Sequence, residues 1–350
     1  MLKNKRQVEG RNQTRTSFQS SLDHIQESIL HTIIYQDLFG CPLTKKQCYR
    51  RLIKCKCSYL EYLDALLPLI GTYLGEHKEY IFIKDRKNIV ENRRIRKKRS
   101  KAYVRQAYKY SNIVSYIPFV EMVSLSGSLA HYNITRGGDI DFFLVLSKDG
   151  FEFAKSIVSF ASTLLNLISK YKICPNYMIS RGALEINIKN LYTATEIVSI
   201  YPLVNSQCHE EFIEKNKWVF DFFPNYQKKT SHLTVKNWKK PEVSLIIERL
   251  VDINPDFLKK VIKNLYVTQR KLRGKSSEKE FFNPNKPGGY MSSIFSLYKA
   301  RVEEVIRSEK VGFYFGEENL SNVVDEARVN WLYMLQEKYK PELCRLKAKQ

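Results

Sequence analysis

The sequence predicts an α+β protein: a mixed β-sheet with flanking helices, preceded by a segment of helices and a hairpin and followed by a mainly helical C-terminal region. Three observations predict it. Two short apolar runs, Val120–Leu125 and Ile140–Leu146, are rich in β-branched and aromatic residues and bounded by Gly or polar residues, as buried strands are. Amphipathic stretches of helical period stand on both sides of them, at 21–39 and 151–172. From residue 205 onward the pattern is helical, broken by a loop at 283–289.

In chain order, residues 1–20 are polar and basic and read as a disordered tail, without the apolar core of a signal peptide. Residues 21–84 read as three helices and a hairpin. The first carries Ile25, Ile29, Leu30, Ile33 and Ile34 on one side, and Gly40 ends it. Thr44 caps a second short helix. Ser58 and Glu61 form a capping box that opens a third, which Pro68 kinks or ends. The run 75–79 is a hairpin turn between two short strands. Three helices and a hairpin make a winged helix. Its third helix carries Tyr59, Glu61, Tyr62 and Asp64, so it is acidic where a DNA-reading helix is basic. A protein-docking or structural wing is an equal reading.

Residues 85–112 read as one linker helix, free of Pro and Gly. The stretch 84–109 holds twelve Lys or Arg against Asp85 and Glu91. It is either a solvated charged face or a patch for RNA or DNA backbone, acting through counterion release.

Residues 113–204 hold the candidate chemistry. Gly127 and Ser128 follow the first strand. A glycine there lets backbone N–H groups approach an anion closely, a helix opening at Ser128 adds partial positive charge, and the Ser128 hydroxyl can donate to a phosphate oxygen. Asp139 and Asp141 stand two apart at the second strand. Period-two geometry puts both carboxylates on one face with Ile140 on the other. Two adjacent like charges repel, and a hard divalent cation resolves this, because Mg²⁺ takes carboxylate oxygens together with substrate phosphates. A phosphate cradle beside two carboxylates suits two-metal phosphoryl or nucleotidyl transfer.

Gly127, Ser128, Asp139 and Asp141, with their flanking strands and a spacer of about ten residues, resemble the signature of the polymerase-β-like nucleotidyltransferase superfamily. A broader likeness, over roughly residues 25–225, is to prokaryotic proteins with a winged-helix-like segment before that domain. The resemblance implies that Gly127 and Ser128 hold a nucleoside triphosphate. It also implies that Asp139 and Asp141 bind two Mg²⁺ (or Mn²⁺) ions, and that a third metal carboxylate lies on a later strand of the same sheet.

After the signature, the apolar stripe of residues 151–172 is core. Residues 173–179 and 183–188 read as two strands joined by a turn at 180–182. On the second, Glu185 is the only acid, alternating with Leu184 and Ile186, and an isolated acid among buried apolar residues needs a partner. Glu185 is the expected third metal and catalytic carboxylate; Asn176, on the preceding strand, is its rival for that place. Residues 190–204 read as a loop and short helix. Residues 205–350 form a helical C-terminal domain, with helices expected at 211–223, 242–253, 255–273, 292–307 and 319–340.

The formal net charge of +22 over 350 residues favours a polyanionic partner, though a lysine-rich composition alone produces the same excess. The seven cysteines lack metal-type spacing and fit a reducing cytoplasm. No apolar run reaches the length of a membrane span, so no membrane partner is expected. The expected activity is a Mg²⁺-dependent transfer of a nucleoside monophosphate from an NTP to a hydroxyl acceptor, nucleic acid being favoured. The alternatives are a winged-helix regulator that binds DNA or senses nucleotides on the same scaffold, and a toxin–antitoxin enzyme that modifies tRNA or protein.

Overall fold

The computed structural model describes residues 22–226, 239–253 and 290–316, with a few positions between 260 and 268. The protein is α+β. The N-terminal segment runs α1 (His24–Asp37), β1 (Leu43–Thr44), α2 (Lys45–Arg50), α3 (Tyr59–Leu66), β2 (Leu74–His77) and β3 (Tyr80–Ile83). Each helix opens with a reciprocal capping box, from Asp23 with Gln26, Thr44 with Gln47, and Ser58 with Glu61. The strands form an antiparallel sheet of order β1-β3-β2. The hairpin is tighter than the sequence suggests: His77 pairs with Tyr80, which leaves Lys78 and Glu79 as the turn.

The basic helix α4 (Asn88–Ser115) leads into the central unit: β4 (Val120–Leu125), α5 (Gly127–Ala130), β5 (Ile140–Leu146), α6 (Phe151–Ile168), β6 (Ile173–Ser180), α7 (Leu191–Ser199) and β7 (Tyr201–Val204). Its sheet is mixed, of order β6-β5-β4-β7, with β5 and β6 parallel and the other pairs antiparallel. Then come α8 (Ser206–Lys215), α9 (Val219–Phe222), α10 (Glu242–Ile253), α11 (Tyr290–Val305) and α12 (Val311–Phe315). The expected helix 255–273 is described at only a few positions between 260 and 268, which are helical; the helix 319–340, the loop 283–289 and the N-terminal tail lie outside the described residues. The single helix expected at 211–223 is two, α8 and α9, with Asn216 capping the first.

Two further expectations are corrected. Residues 183–188 are not a strand. Leu184 and Ile186 are buried and Glu185 is exposed, so the alternation is real. Their backbone groups are met by a side chain, however: Ile186 N donates to Asn216 Oδ1 at 2.8 Å, and Asn216 Nδ2 donates to Leu184 O at 2.8 Å. Residues 201–204, read as loop, form β7. Pro202 disguises that strand, and its place at the sheet edge is where a proline is tolerated.

The sheet is buried on both faces. Phe142, Leu144 and Leu146 join α4 and α6 in one hydrophobic cluster. Phe143 and Val145 join the other, which is continuous through α1, α3, α7, α8, α11 and α12. Here α1 is the central helix, with Ile29, Leu30, Ile34 and Tyr35 at 0–1% exposure. His31 is buried against α11 and α12, its Nδ1 2.5 Å from the Tyr298 hydroxyl and its ring stacked on Tyr314. Burial, and secondarily Lys310, pushes its pKa down to about 3. Among the described residues one helix, α6, is long and apolar enough to cross a membrane by length and composition. It lays Phe153, Ala154 and Val158 against the sheet.

Candidate active site

Alternation along β5 decides which residues face the cavity. Asp141 shares parity with Phe143 and Val145, so its carboxylate looks toward the cluster built on α1. Gly127 meets it. That glycine is left-handed, at φ +59°, and a Cβ placed on it would lie 2.7 Å from Asp141 Oδ2. The turn is further tied to the strand by Ser126 N, which donates to Asp141 O at 3.0 Å. The sequence therefore folds its Gly-Ser turn directly onto the second aspartate.

The two line a cavity of about 510 Å³ between the sheet and the N-terminal segment, a volume typical of small-molecule sites. Ser126, Gly127, Ser128 and Asp141 all line it. The floor is apolar, with Phe143, Ile186, Ile197 and Phe212. Another part of the wall comes from the last turn of α1 and the residues after it: Tyr35, Gln36, Phe39 and Cys41.

Asp139 stands half-buried just ahead of β5 and is not among the residues lining the cavity, while Ile140 between the two acids is fully buried. Glu185 is corrected as a site residue. Its neighbour Ile186 points into the cavity, so Glu185 points out, where it is exposed and pairs with Lys189 at 3.3 Å. Asn176 does reach the cavity. Between Cys174, opposite Asp141, and Tyr177, opposite Phe143, β6 carries an extra residue. That bulge breaks the alternation, and adjacent Asn176 and Tyr177 both line the cavity.

The acid that sequence reasoning missed is Glu196, on α7. His131 stands beside it, Nε2 3.9 Å from Glu196 Oε1. Arg51 Nη1 lies 3.3 Å from His131 Nδ1. Because a guanidinium only donates, Nδ1 accepts and the proton sits on Nε2, directed at Glu196. Burial lowers the His131 pKa, which keeps the ring neutral despite the carboxylate. Burial, and then the Glu196 charge, raise the Tyr177 pKa and hold its phenol protonated. No local pattern marks Glu196; only the packing of α7 brings it to the sheet.

The basic helix α4 divides by face. Arg93 Nη1 and Nη2 donate to Tyr132 O (2.7 Å) and His131 O (3.0 Å). Arg96 donates to Phe39 O and Arg99 to Ile134 O, both at 3.3 Å. Arg93 and Arg99 clamp the loop between the Gly-Ser turn and the aspartates, Arg96 holds the segment after α1, and all three are scaffold. On the outer face, Arg94 pairs with Glu91 and Lys97 with Glu79. Lys98, Lys101, Arg105 and Lys109 are exposed, with no carboxylate partner among the described residues.

Among the described residues no group of three or more His, Cys, Asp or Glu is placed to hold a metal ion. The donor set does fit a cation that takes one or two carboxylates and fills its remaining positions with substrate phosphates and water, as Mg²⁺ does. The six described cysteines are free thiols. Comparisons of the chain with protein-family models, with curated proteins and with solved structures give no match.

Proposed function

We propose that the chain is a polymerase-β-like nucleotidyltransferase, dependent on Mg²⁺ or Mn²⁺. It would move a nucleoside monophosphate from an NTP to a hydroxyl acceptor and release pyrophosphate. The observation that carries this reading is the left-handed Gly127 seated on the Asp141 carboxylate at the head of a ligand-sized cavity. A turn pressed that closely against a carboxylate suits a site where triphosphate and cation meet.

Gly127 and Ser128 would bind the β- and γ-phosphates through backbone N–H groups and the Ser128 hydroxyl. Asp139 and Asp141 would hold the cation, which when bound supplies Lewis-acid polarisation and charge neutralisation. Glu196 is the proton acceptor for the attacking hydroxyl, in the role the sequence suggested for Glu185. The acceptor oxygen bonds to the α-phosphorus as the bond from that phosphorus to the α–β bridging oxygen breaks, and pyrophosphate leaves with those electrons. His131, fixed as the Nε2–H tautomer by Arg51, orients Glu196. Asn176 offers a neutral oxygen in place of a third carboxylate.

On this reading the N-terminal winged helix closes the cavity instead of reading DNA. Its third helix shows solvent Leu60, Glu61 and Asp64, and no cation. The exposed cations of α4 favour a polyanionic acceptor such as RNA or DNA. Pyrophosphate release from each NTP with Mg²⁺ tests the assignment. Asp141→Asn is expected to lower it at least about a hundredfold, and Glu196→Gln about tenfold to a hundredfold. Release undiminished in Asp141→Asn contradicts it.

A further inference from the structure

We infer that the wall contributed by the end of α1, together with Asn133, is the nucleobase subsite, and that Gln36 sets which base is accepted. This rests on the nucleotidyltransferase reading. If Gly127, Ser128 and Asp141 hold the triphosphate, the base has the rest of the lining to lodge against, which includes the aromatic rings of Tyr35 and Phe39. Two carboxamides stand among them, each with its orientation fixed by a neighbour.

Asn133 is 6% exposed. Its Nδ2 donates to Phe39 O at 3.0 Å, which leaves Oδ1 buried with no hydrogen-bond partner among the described residues. A buried acceptor without a donor is costly, and a ligand N–H would satisfy it. Gln36 is 5% exposed, and its Oε1 faces Arg51 Nη1 at 3.5 Å. The guanidinium can only donate, so the Gln36 oxygen is turned toward it and the Nε2 donors are turned away. Two residues of the lining thus carry one fixed acceptor and one fixed donor that a base can use. Arg96 holds the Phe39 carbonyl from α4 as well, so the pair sits on a braced segment.

Such a pair discriminates by chemistry. Adenine and cytosine present an exocyclic amine beside an unprotonated ring nitrogen. Guanine and uracil present a carbonyl beside a ring N–H. A single donor and a single acceptor fixed in space match one of these orders and oppose the other. Gln36→Glu exchanges the donor for an acceptor, and Arg51 supplies the new carboxylate with a partner. Gln36→Met removes the donor at similar volume.

The experiment is equilibrium binding of ATP, CTP, GTP and UTP with Mg²⁺ to the full chain, to both Gln36 variants and to Asp141→Asn, with inorganic tripolyphosphate as a base-free probe. The wild type is expected to separate amino from oxo bases. Gln36→Met should reduce that ratio about tenfold. Gln36→Glu, which leaves two acceptors so that either order meets one match and one opposition, should abolish it, and neither variant should change tripolyphosphate affinity. Two results overturn the subsite while leaving the enzyme reading intact. One is an unchanged ratio in both variants alongside loss of all four NTPs in Asp141→Asn; the other is a wild type that binds all four NTPs equally. A wild type that binds no nucleotide overturns the enzyme reading, and the subsite with it.

Discussion

At the scale of single residues, the site turns on one glycine and one aspartate. Gly127 is required twice over: its φ of +59° disfavours any side chain, and a Cβ would meet Asp141 Oδ2 at 2.7 Å. Gly127→Ala is therefore expected to cost about 1–3 kcal/mol of stability and to lower pyrophosphate release by about a hundredfold or more. Denaturant unfolding and steady-state assays measure the two effects. An alanine variant with wild-type values for both would show that the turn is looser than its geometry. Most of this half was legible: Gly127, Ser128 and Asp141 lie close together in the sequence and strand parity aims Asp141, whereas Asp139, of the same parity, stands ahead of β5 and does not line the cavity. The other half was not. Glu185 has the alternating neighbours of a ligand-bearing strand, but Asn216 takes the backbone bonds of that segment and the acid faces water. Glu196 sits in an ordinary amphipathic helix, and nothing local separates it from a surface acid.

At the scale of elements, the boundaries of β4 and β5 and the three helix caps of the N-terminal segment follow directly from local chemistry. One strand, β7, escaped reading because of Pro202; β6 was read as a strand, and only its bulge, which makes neighbours share a face, was not. The charge of α4 was visible in the sequence, but its division was not, since only the fold shows which arginines turn inward. That division gives opposite expectations for two sets of substitutions. Arg93→Ala strips two buried backbone carbonyls of their donors and should destabilise the protein by about 2–4 kcal/mol. Lys98→Gln, Lys101→Gln and Arg105→Gln together should leave stability within about 0.5 kcal/mol. If the outer face tracks a nucleic-acid backbone, the triple variant lowers the slope of log affinity against log salt by about 2–3. Fluorescence anisotropy with labelled RNA and DNA over a salt series reads this, and an unchanged slope removes α4 from the binding surface.

At the scale of the whole molecule, the N-terminal segment, one face of the central sheet and helices α11 and α12 share a single hydrophobic cluster. A sequence divided at residues 84, 112 and 204 gives no sign of this, because the contacts that make it join α1 to residues more than 260 positions away, His31 to Tyr298 among them. The N-terminal segment that this cluster fixes in place supplies part of the cavity wall, and the central unit supplies the rest. The central claim is that this cavity transfers a nucleotide. Its most direct measurement follows α-phosphate label from each NTP, with Mg²⁺ or Mn²⁺, into RNA, protein and small-molecule fractions of cell extract, with the Asp139→Asn/Asp141→Asn double variant as control. The account predicts covalent label in one fraction, lost in the double variant; label in no fraction, or equal label with both aspartates replaced, would contradict it.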